Sequence, residues 1–180
     1  MDTMKKQTPR VGPLEYEELA REAATTLYQD VDFTAMSMCF NLIRVTNRIV
    51  KDLEVSVHRP SGISFAGYQL LFSLKAVGRV HPNALARLAG VSTASMSSLL
   101  NTLEKYGLIT REPDPTDGRK AIVALTDEGE SVVAELCMNN NQREQAWAAG
   151  LTSAEASILT ELLKKLLLHR PQLRSVRAAS

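Results

Sequence analysis

Apolar residues recur along most of this chain at helical spacing. Between Leu14 and Gln29, Leu14, Tyr16, Leu19, Ala23, Ala24, Leu27 and Tyr28 predict a helix with a loose apolar side. From Phe33 to Val57, Phe33, Met36, Phe40, Ile43 and Val50 form one stripe, and Cys39, Leu42, Ile49 and Leu53 form a second beside it. Two stripes make an apolar surface broader than one neighbour covers. Arg59-Pro60-Ser61-Gly62 predicts a break, after which Ser64 caps a helix carrying Tyr68, Leu71, Phe72, Leu74 and Val77. Pro82 suits the first turn of a short helix with Leu85 and Leu88, and Ala89-Gly90-Val91 supplies the small residues of a sharp turn. Ser92 is then a natural N-cap, and Met96, Leu99, Leu100 and Leu103 recur at i, i+3, i+4 and i+7. Gly107 is placed to end this helix, with Leu108 folding back onto Leu103.

The helical period fails after Leu108. Leu108-Ile109-Thr110-Arg111 reads as a strand, Glu112-Pro113-Asp114-Pro115-Thr116-Asp117-Gly118 as a loop of turn formers, and Arg119 to Leu125 as the returning strand. Thr126 caps a long helix with Asp127 and Glu128 at its positive end and Val132, Val133 and Leu136 on its apolar side. The run Asn139-Asn140-Asn141-Gln142 interrupts that pattern and predicts a kink or a stretch crossing solvent. Thr152-Ser153-Ala154-Glu155 is a capping box opening a helix with Ile158, Leu159, Leu162, Leu163, Leu166 and Leu167, a surface that needs a partner.

A short helix, a turn, a capped helix and a hairpin, in that order, make a winged helix-turn-helix. The fold class is mainly α with a small β-hairpin wing, joined to a helical dimerisation region. Residues 1–31 form an N-terminal extension, partly helical; 32–62 a dimerisation helix; 63–126 the winged helix-turn-helix; and 127–180 C-terminal helices completing the dimerisation region. The extension either wraps a partner subunit or pads its own.

On the second helix of the motif, Ala94, Ser98, Asn101 and Lys105 lie opposite the apolar stripe, flanked by Thr93, Ser95, Ser97 and Thr102. Small polar side chains can approach base edges in a major groove: hydroxyls bond several bases, Asn bonds adenine, and Ala touches a thymine methyl. The plain alternative is a solvated face. The hairpin carries Asp117, Arg119 and Lys120 at its tip and Arg111 on its first strand. A guanidinium at a hairpin tip can enter the minor groove, and a neighbouring carboxylate can orient it, although an ordinary exposed ion pair has the same sequence.

Charge agrees in sign with a nucleic-acid partner. The whole chain carries +1, but Lys75–Leu125 carries +3 and the remainder −2. No stretch is apolar for long enough to span a bilayer and no secretory signal begins the chain, so a cytoplasmic protein without membrane contact is expected. Cys39 and Cys137 lack paired-ligand spacing, and His58, His81 and His169 lie in separate segments. No metal, cofactor or catalytic constellation is expected, and the protein reads as a non-enzyme.

Gly107-Leu108-Ile109-Thr110-Arg111, Asp117-Gly118-Arg119 and Leu125-Thr126-Asp127-Glu128-Gly129 resemble, in order and spacing, the signature of MarR-type transcriptional regulators, over about Ala35 to Leu168. That resemblance implies a homodimer binding a pseudo-palindromic double-stranded DNA operator. It makes the serine-rich helix the recognition helix, Arg119 the minor-groove arginine and Asp117 its orienting partner. It also implies a small-molecule effector, often aromatic or anionic, and repression as the sign of regulation. Two alternatives stand beside this reading. One is a peroxide- or thiol-sensing regulator acting through Cys39, although Ile43 and Leu53 stand where the peroxide-sensing branch is expected to have tyrosines. The other is a winged helix that binds protein.

Overall fold

The computed structural model describes residues 11–89, 93–118 and 120–171, with Thr93 and Ala94 described by backbone alone. Gly90, Val91, the predicted cap Ser92 and Arg119 lie outside the described residues. The chain divides into two compact units, residues 1–51 and 52–180.

In the first unit, α1 (Pro13–Leu27) is followed by α2 (Phe33–Leu53), whose last two residues belong to the second unit. The two helices meet at Arg44. Arg44 of α2 donates to the carbonyl of Pro13 at 2.9 Å and lies over the rings of Tyr16 and Phe40, 5.2 and 5.0 Å from their centroids. Cys39, placed by its spacing on an apolar stripe, is exposed.

The second unit begins where α2 widens. Glu54–His58 forms a π-helical turn, followed by the single turn α3 (Arg59–Ser61). The break expected over residues 59–62 therefore falls at the last of them, Gly62, whose φ of 76° ends the helix. Pro60 has no N–H and crowds the carbonyl one turn earlier, and a wider turn relieves that conflict. Next come α4 (Phe65–Val77), capped by Ser64, which accepts from the Gly67 N–H at 3.1 Å, and α5 (Pro82–Ala89) and α6 (Thr93–Lys105) of the helix-turn-helix. Strands β1 (Ile109–Pro113) and β2 (Ala121–Leu125) pair antiparallel from Ile109↔Leu125 to Pro113↔Ala121. β1 thus runs two residues further than expected, β2 begins two residues later, and the loop shifts to residues 114–120. Finally α7 (Asp127–Ala148) and α8 (Ser153–Leu168) open on Thr126 and on the capping box of Thr152 and Glu155.

The core of this unit gathers Leu70, Leu71 and Leu74 of α4, Leu85 and Ala86 of α5, Met96, Leu100 and Leu103 of α6, Val123 of β2, and Val133 and Leu136 of α7. Each fully buried leucine contributes about 1.5–3 kcal/mol. Leu88, Phe72 and Val77, read from spacing as core residues, are instead exposed. Leu88 and Phe72 line a cavity described below.

Helix α6 ends as its glycine predicts. Gly107 has φ 73°, its N–H bonds the Glu104 carbonyl at 2.9 Å, and the Leu108 N–H bonds the Leu103 carbonyl at 3.0 Å. This is the pair of bonds of a Schellman motif, and Leu103 and Leu108 are both buried. Thr126 then ties α7 to this corner: its N–H bonds the Leu108 carbonyl at 3.1 Å, and its hydroxyl donates to the Gly107 carbonyl at 2.7 Å while accepting from the Gly129 N–H at 3.0 Å.

The asparagine run does not kink α7, which is continuous across it. Asn140 is buried and accepts from Nε2 of the fully buried His58 at 3.1 Å, while its own amide donates to Glu144 at 2.6 Å. An amide oxygen only accepts, so Nε2 of His58 carries the hydrogen. A second polar link joins the same elements. Asp52 accepts from Arg143 Nη2 at 2.7 Å and from the Trp147 indole at 2.8 Å. The Arg143 bond, then the Trp147 bond, draws the Asp52 carboxyl from 3.8 down to about 2. A carboxylate held lower in the folded state than in the unfolded one stabilises the fold fully above pH 4, and that stabilisation is lost as pH falls toward 2. Asp52→Asn is therefore expected to lower the melting temperature at pH 7 and to flatten its decline between pH 4 and pH 2. An unchanged acid limb in thermal scans of the variant would contradict this.

Candidate nucleic-acid interface

The interface is assembled by α6 and the wing. The apolar stripe of α6 seats it on α4 and α5, leaving Ser95, Ser97, Ser98, Asn101, Thr102 and Lys105 exposed on its other side. The side chains of Thr93 and Ala94 lie outside the described residues. Not all of the exposed polar groups point outward unengaged. The Thr102 hydroxyl donates to the Ser98 carbonyl at 3.0 Å, one turn back. Asn101 accepts from Arg111 Nη2 at 2.7 Å, which fixes its oxygen toward β1 and its NH₂ away from it.

The wing is anchored rather than loose. Val80 and Val123 exchange backbone hydrogen bonds of 3.1 and 2.9 Å, which adds a short third segment to the hairpin just before α5. The loop is organised by Asp114, a buried carboxylate that in the sequence is one turn former among several. Its Oδ1 accepts from the Thr116 N–H at 2.6 Å, the Thr116 hydroxyl at 2.6 Å and the Asp117 N–H at 3.2 Å. The Thr116 hydroxyl leads the causes that hold the Asp114 carboxyl below its ordinary range. Aspartate followed two and three residues later by Thr116 and Asp117 is the available sequence signal for such a turn. Backbone bonds from Asp114 to Lys120 at 2.9 Å and from Lys120 to Asp117 at 2.8 Å close the loop.

The basic residues fall into two groups. Arg111 is half-buried and faces Glu104 at 3.4 Å as well as Asn101; Lys120 pairs with Asp117 at 3.0 Å; and Arg79 pairs with Glu112. Arg87 and Lys105 are exposed and make no ion pair among the described residues. Exposed pairs exchange partners at little cost, so Lys120 and Arg79 remain able to turn to phosphate. Arg111 is held by two partners on α6, and its geometry suits positioning Asn101 better than contacting a backbone phosphate. Arg119, at the tip between Gly118 and Lys120, lies outside the described residues.

Beneath α5 lies a cavity of about 460 Å³, lined by Phe65, Tyr68 and Phe72 of α4, Leu88 of α5, and Asn140 and Glu144 of α7 among others. The Tyr68 hydroxyl is pushed up above its ordinary range by burial first and by its hydrogen bond to Cys137 second, so it is a neutral donor there. Among the described residues, no lysine, arginine or histidine lines the cavity. Among the described residues there is no cluster of three or more metal-ligating side chains and no helix long and apolar enough to cross a membrane, and Cys39 is a free, exposed cysteine.

Comparison with known proteins places this arrangement. Residues 61–120 match the model of the MarR family. The chain is 30% identical over 159 residues to an uncharacterised HTH-type transcriptional regulator, YwaE, of Bacillus subtilis (strain 168), covering 84% of this chain and 93% of that one. It is 31% identical over 131 residues to the multiple antibiotic resistance protein MarR of Salmonella typhimurium, covering 70% and 88%. Among solved structures, a mutant MarR from E. coli complexed with operator DNA superposes with a TM-score of 0.67 at 26% identity, covering 77% of this chain and 99% of that one. Bordetella bronchiseptica BpsR, whose DNA binding is regulated by 6-hydroxynicotinic acid, gives a TM-score of 0.67 at 25% identity, covering 72% and 98%.

Proposed function

The chain belongs to the MarR family of DNA-binding transcriptional regulators, and from that premise we propose that it acts as a homodimeric, ligand-responsive repressor on a pseudo-palindromic operator. The observation that carries this reading is the polar outer face of α6 lying beside a wing anchored to the same core, which lets one rigid unit address adjacent major and minor grooves. In it Thr93, Ala94, Ser95, Ser97, Ser98 and Asn101 face the bases, and Lys105, Lys120 and Arg119 supply phosphate and minor-groove contacts. Sequence preference then rests on the helix and overall affinity on the charges.

Dimerisation is supported by unpartnered apolar surface. Ile158, Leu159, Leu162, Leu166 and Leu167 are exposed along α8, and Met38, Ile43, Val45 and Val50 along α2. A soluble monomer rarely leaves so much aliphatic surface in water, and pairing with a second copy of the chain would cover it. Footprinting on the DNA flanking the protein's own gene is expected to protect two half-sites with centres roughly 34 Å apart along one face of the duplex. Protection of random DNA equal to that of any flanking site, or binding by a monomer in sedimentation velocity, would sink the reading.

For the effector, the cavity beneath α5 has the volume and aromatic lining of a small-molecule site. Among the described residues Glu144 is the one charged group lining it, so it favours a neutral or cationic planar ligand over a carboxylate anion. Such a ligand would release operator DNA by stabilising a dimer whose recognition helices no longer match the half-site spacing.

A further inference from the structure

Side chains tie the wing to the helix-turn-helix at its loop and at its base. At the loop, Nε2 of His81 lies 3.1 Å from Oδ2 of Asp114. At the base, Arg111 of β1 spans one turn of α6: Nη2 donates to Oδ1 of Asn101 at 2.7 Å, and Nε lies 3.4 Å from Oε2 of Glu104. Asn101 and Glu104 stand at i and i+3 on the helix, so one planar guanidinium reaches both. The arginine is fixed at its other end as well. Arg111 pairs in register with the fully buried Val123, which exchanges backbone hydrogen bonds with Val80 just before α5.

This bond decides which way the Asn101 amide faces. A guanidinium carries only donors, so the amide atom turned toward it is the oxygen, and the NH₂ is the arm left to face away from the wing. An unconstrained asparagine reads adenine with both arms, accepting from N6 and donating to N7. Here the oxygen already accepts from a charged group. That makes it a poorer acceptor for a second donor and polarises the amide so that its NH₂ donates more strongly. Asn101 is thereby turned from a two-armed reader into a donor, and in the major groove guanine presents acceptors at both N7 and O6.

We infer that Arg111 is a positioning residue for sequence choice: by holding the Asn101 oxygen against the wing, it makes α6 prefer guanine to adenine at one base pair of each half-site. The inference rests on the DNA-binding reading above and deepens it by naming the base that one residue selects. Arg111 itself need touch no DNA. It is half-buried and faces Glu104, whereas Lys105 and Lys120 are exposed. Removing Arg111 therefore changes which base is chosen and leaves the salt dependence alone, while removing either lysine does the reverse.

The test uses the full chain to select duplexes from a library with a randomised central region. The best selected duplex is then titrated by fluorescence anisotropy at two salt concentrations, with each base pair of a half-site changed in turn. Wild type is expected to favour guanine over adenine about fivefold at one position, the lower end of what one base contact supplies. Asn101→Ala identifies that position by losing the preference there and nowhere else. Arg111→Met is expected to move the preference toward adenine at the same position with an unchanged salt slope. In the Asn101→Ala background it is expected to change nothing further there, a result that a direct arginine contact or a general loosening of the wing does not give. Asn101→Asp keeps an acceptor for Arg111 but has no donor, so its preference is expected to move to cytosine, and it tests the inference even if Arg111→Met fails to fold. Sequence-specific binding in which Arg111→Met keeps the guanine preference, weakens every position alike or lowers the salt slope by about one phosphate overturns the inference and leaves the DNA-binding reading standing. An Asn101→Asp protein that still favours guanine overturns it too. A wild type that selects no sequence from the library defeats the DNA-binding reading, and the inference with it.

Discussion

Gly129→Ala is expected to destabilise this protein by about 3 kcal/mol, which for a chain of this size lowers the melting temperature by roughly 6–12 °C. Helix propensity alone gives the opposite sign, since alanine in a helix is favoured over glycine by about 1 kcal/mol. Packing reverses it. A Cβ on Gly129 would lie 2.0 Å from the carbonyl oxygen of Leu108, a backbone atom that no rotamer change can move, and 3.3 Å from a methyl of Leu125. That carbonyl already accepts from the Thr126 N–H, so the clash strikes the corner where α6, β1 and α7 are tied together. Circular-dichroism melting checks the result, and an unchanged or higher melting temperature would show that the corner is not packed as described. Because the wing springs from this corner, operator affinity is expected to fall along with stability.

Arg119→Ala is expected to weaken operator binding by about 1–3 kcal/mol at fixed salt, the loss of a well-placed charged contact, and to shallow the salt dependence by about one phosphate. The dimer should be unaffected. The expectation follows from the place of Arg119 in the chain, between exposed Gly118 and exposed Lys120 at the end of a hairpin anchored by Val80, Val123 and Asp114. Anisotropy titrations at two salt concentrations, paired with sedimentation velocity, separate the two consequences. Wild-type affinity and an unchanged salt slope would remove the arginine from the interface and return weight to a protein-binding winged helix.

The two variants also differ in how visible their targets are in the sequence. Arg119 stands out because a guanidinium beside turn formers has a recognisable use. Gly129 looks like an unremarkable helical glycine in the first turn of α7, and its reason is a carbonyl twenty-one residues earlier that only folding brings within reach. The same contrast holds through the interface. The outward face of α6 follows from spacing, but the bonds from Arg111 to Asn101 and from His81 to Asp114 do not, and they alter what Asn101 and the wing can do.

What the chain determined by itself was everything written in neighbouring residues. Ser64, Thr126 and Thr152 cap helices, Gly107 ends α6 in a Schellman pair, the stripe from Met96 to Leu103 turns one face inward, and turn formers close a hairpin. Each is a contact over three to five residues or a repeat along one element, so the order of residues is sufficient to specify it. Only the tertiary structure decided which polar groups meet across the fold. His58 finds Asn140 at a separation of 82 residues, and Asp52 finds Arg143 at 91. A polar side chain in a sequence carries no mark of its partner. For His58 and Asn140 burial supplies the selection, because a buried group without a hydrogen bond costs roughly 1–3 kcal/mol and so that pair must form where the helices pack. The asparagine run that reads as an interruption in α7 is, on that ground, where α7 receives the buried histidine following α2.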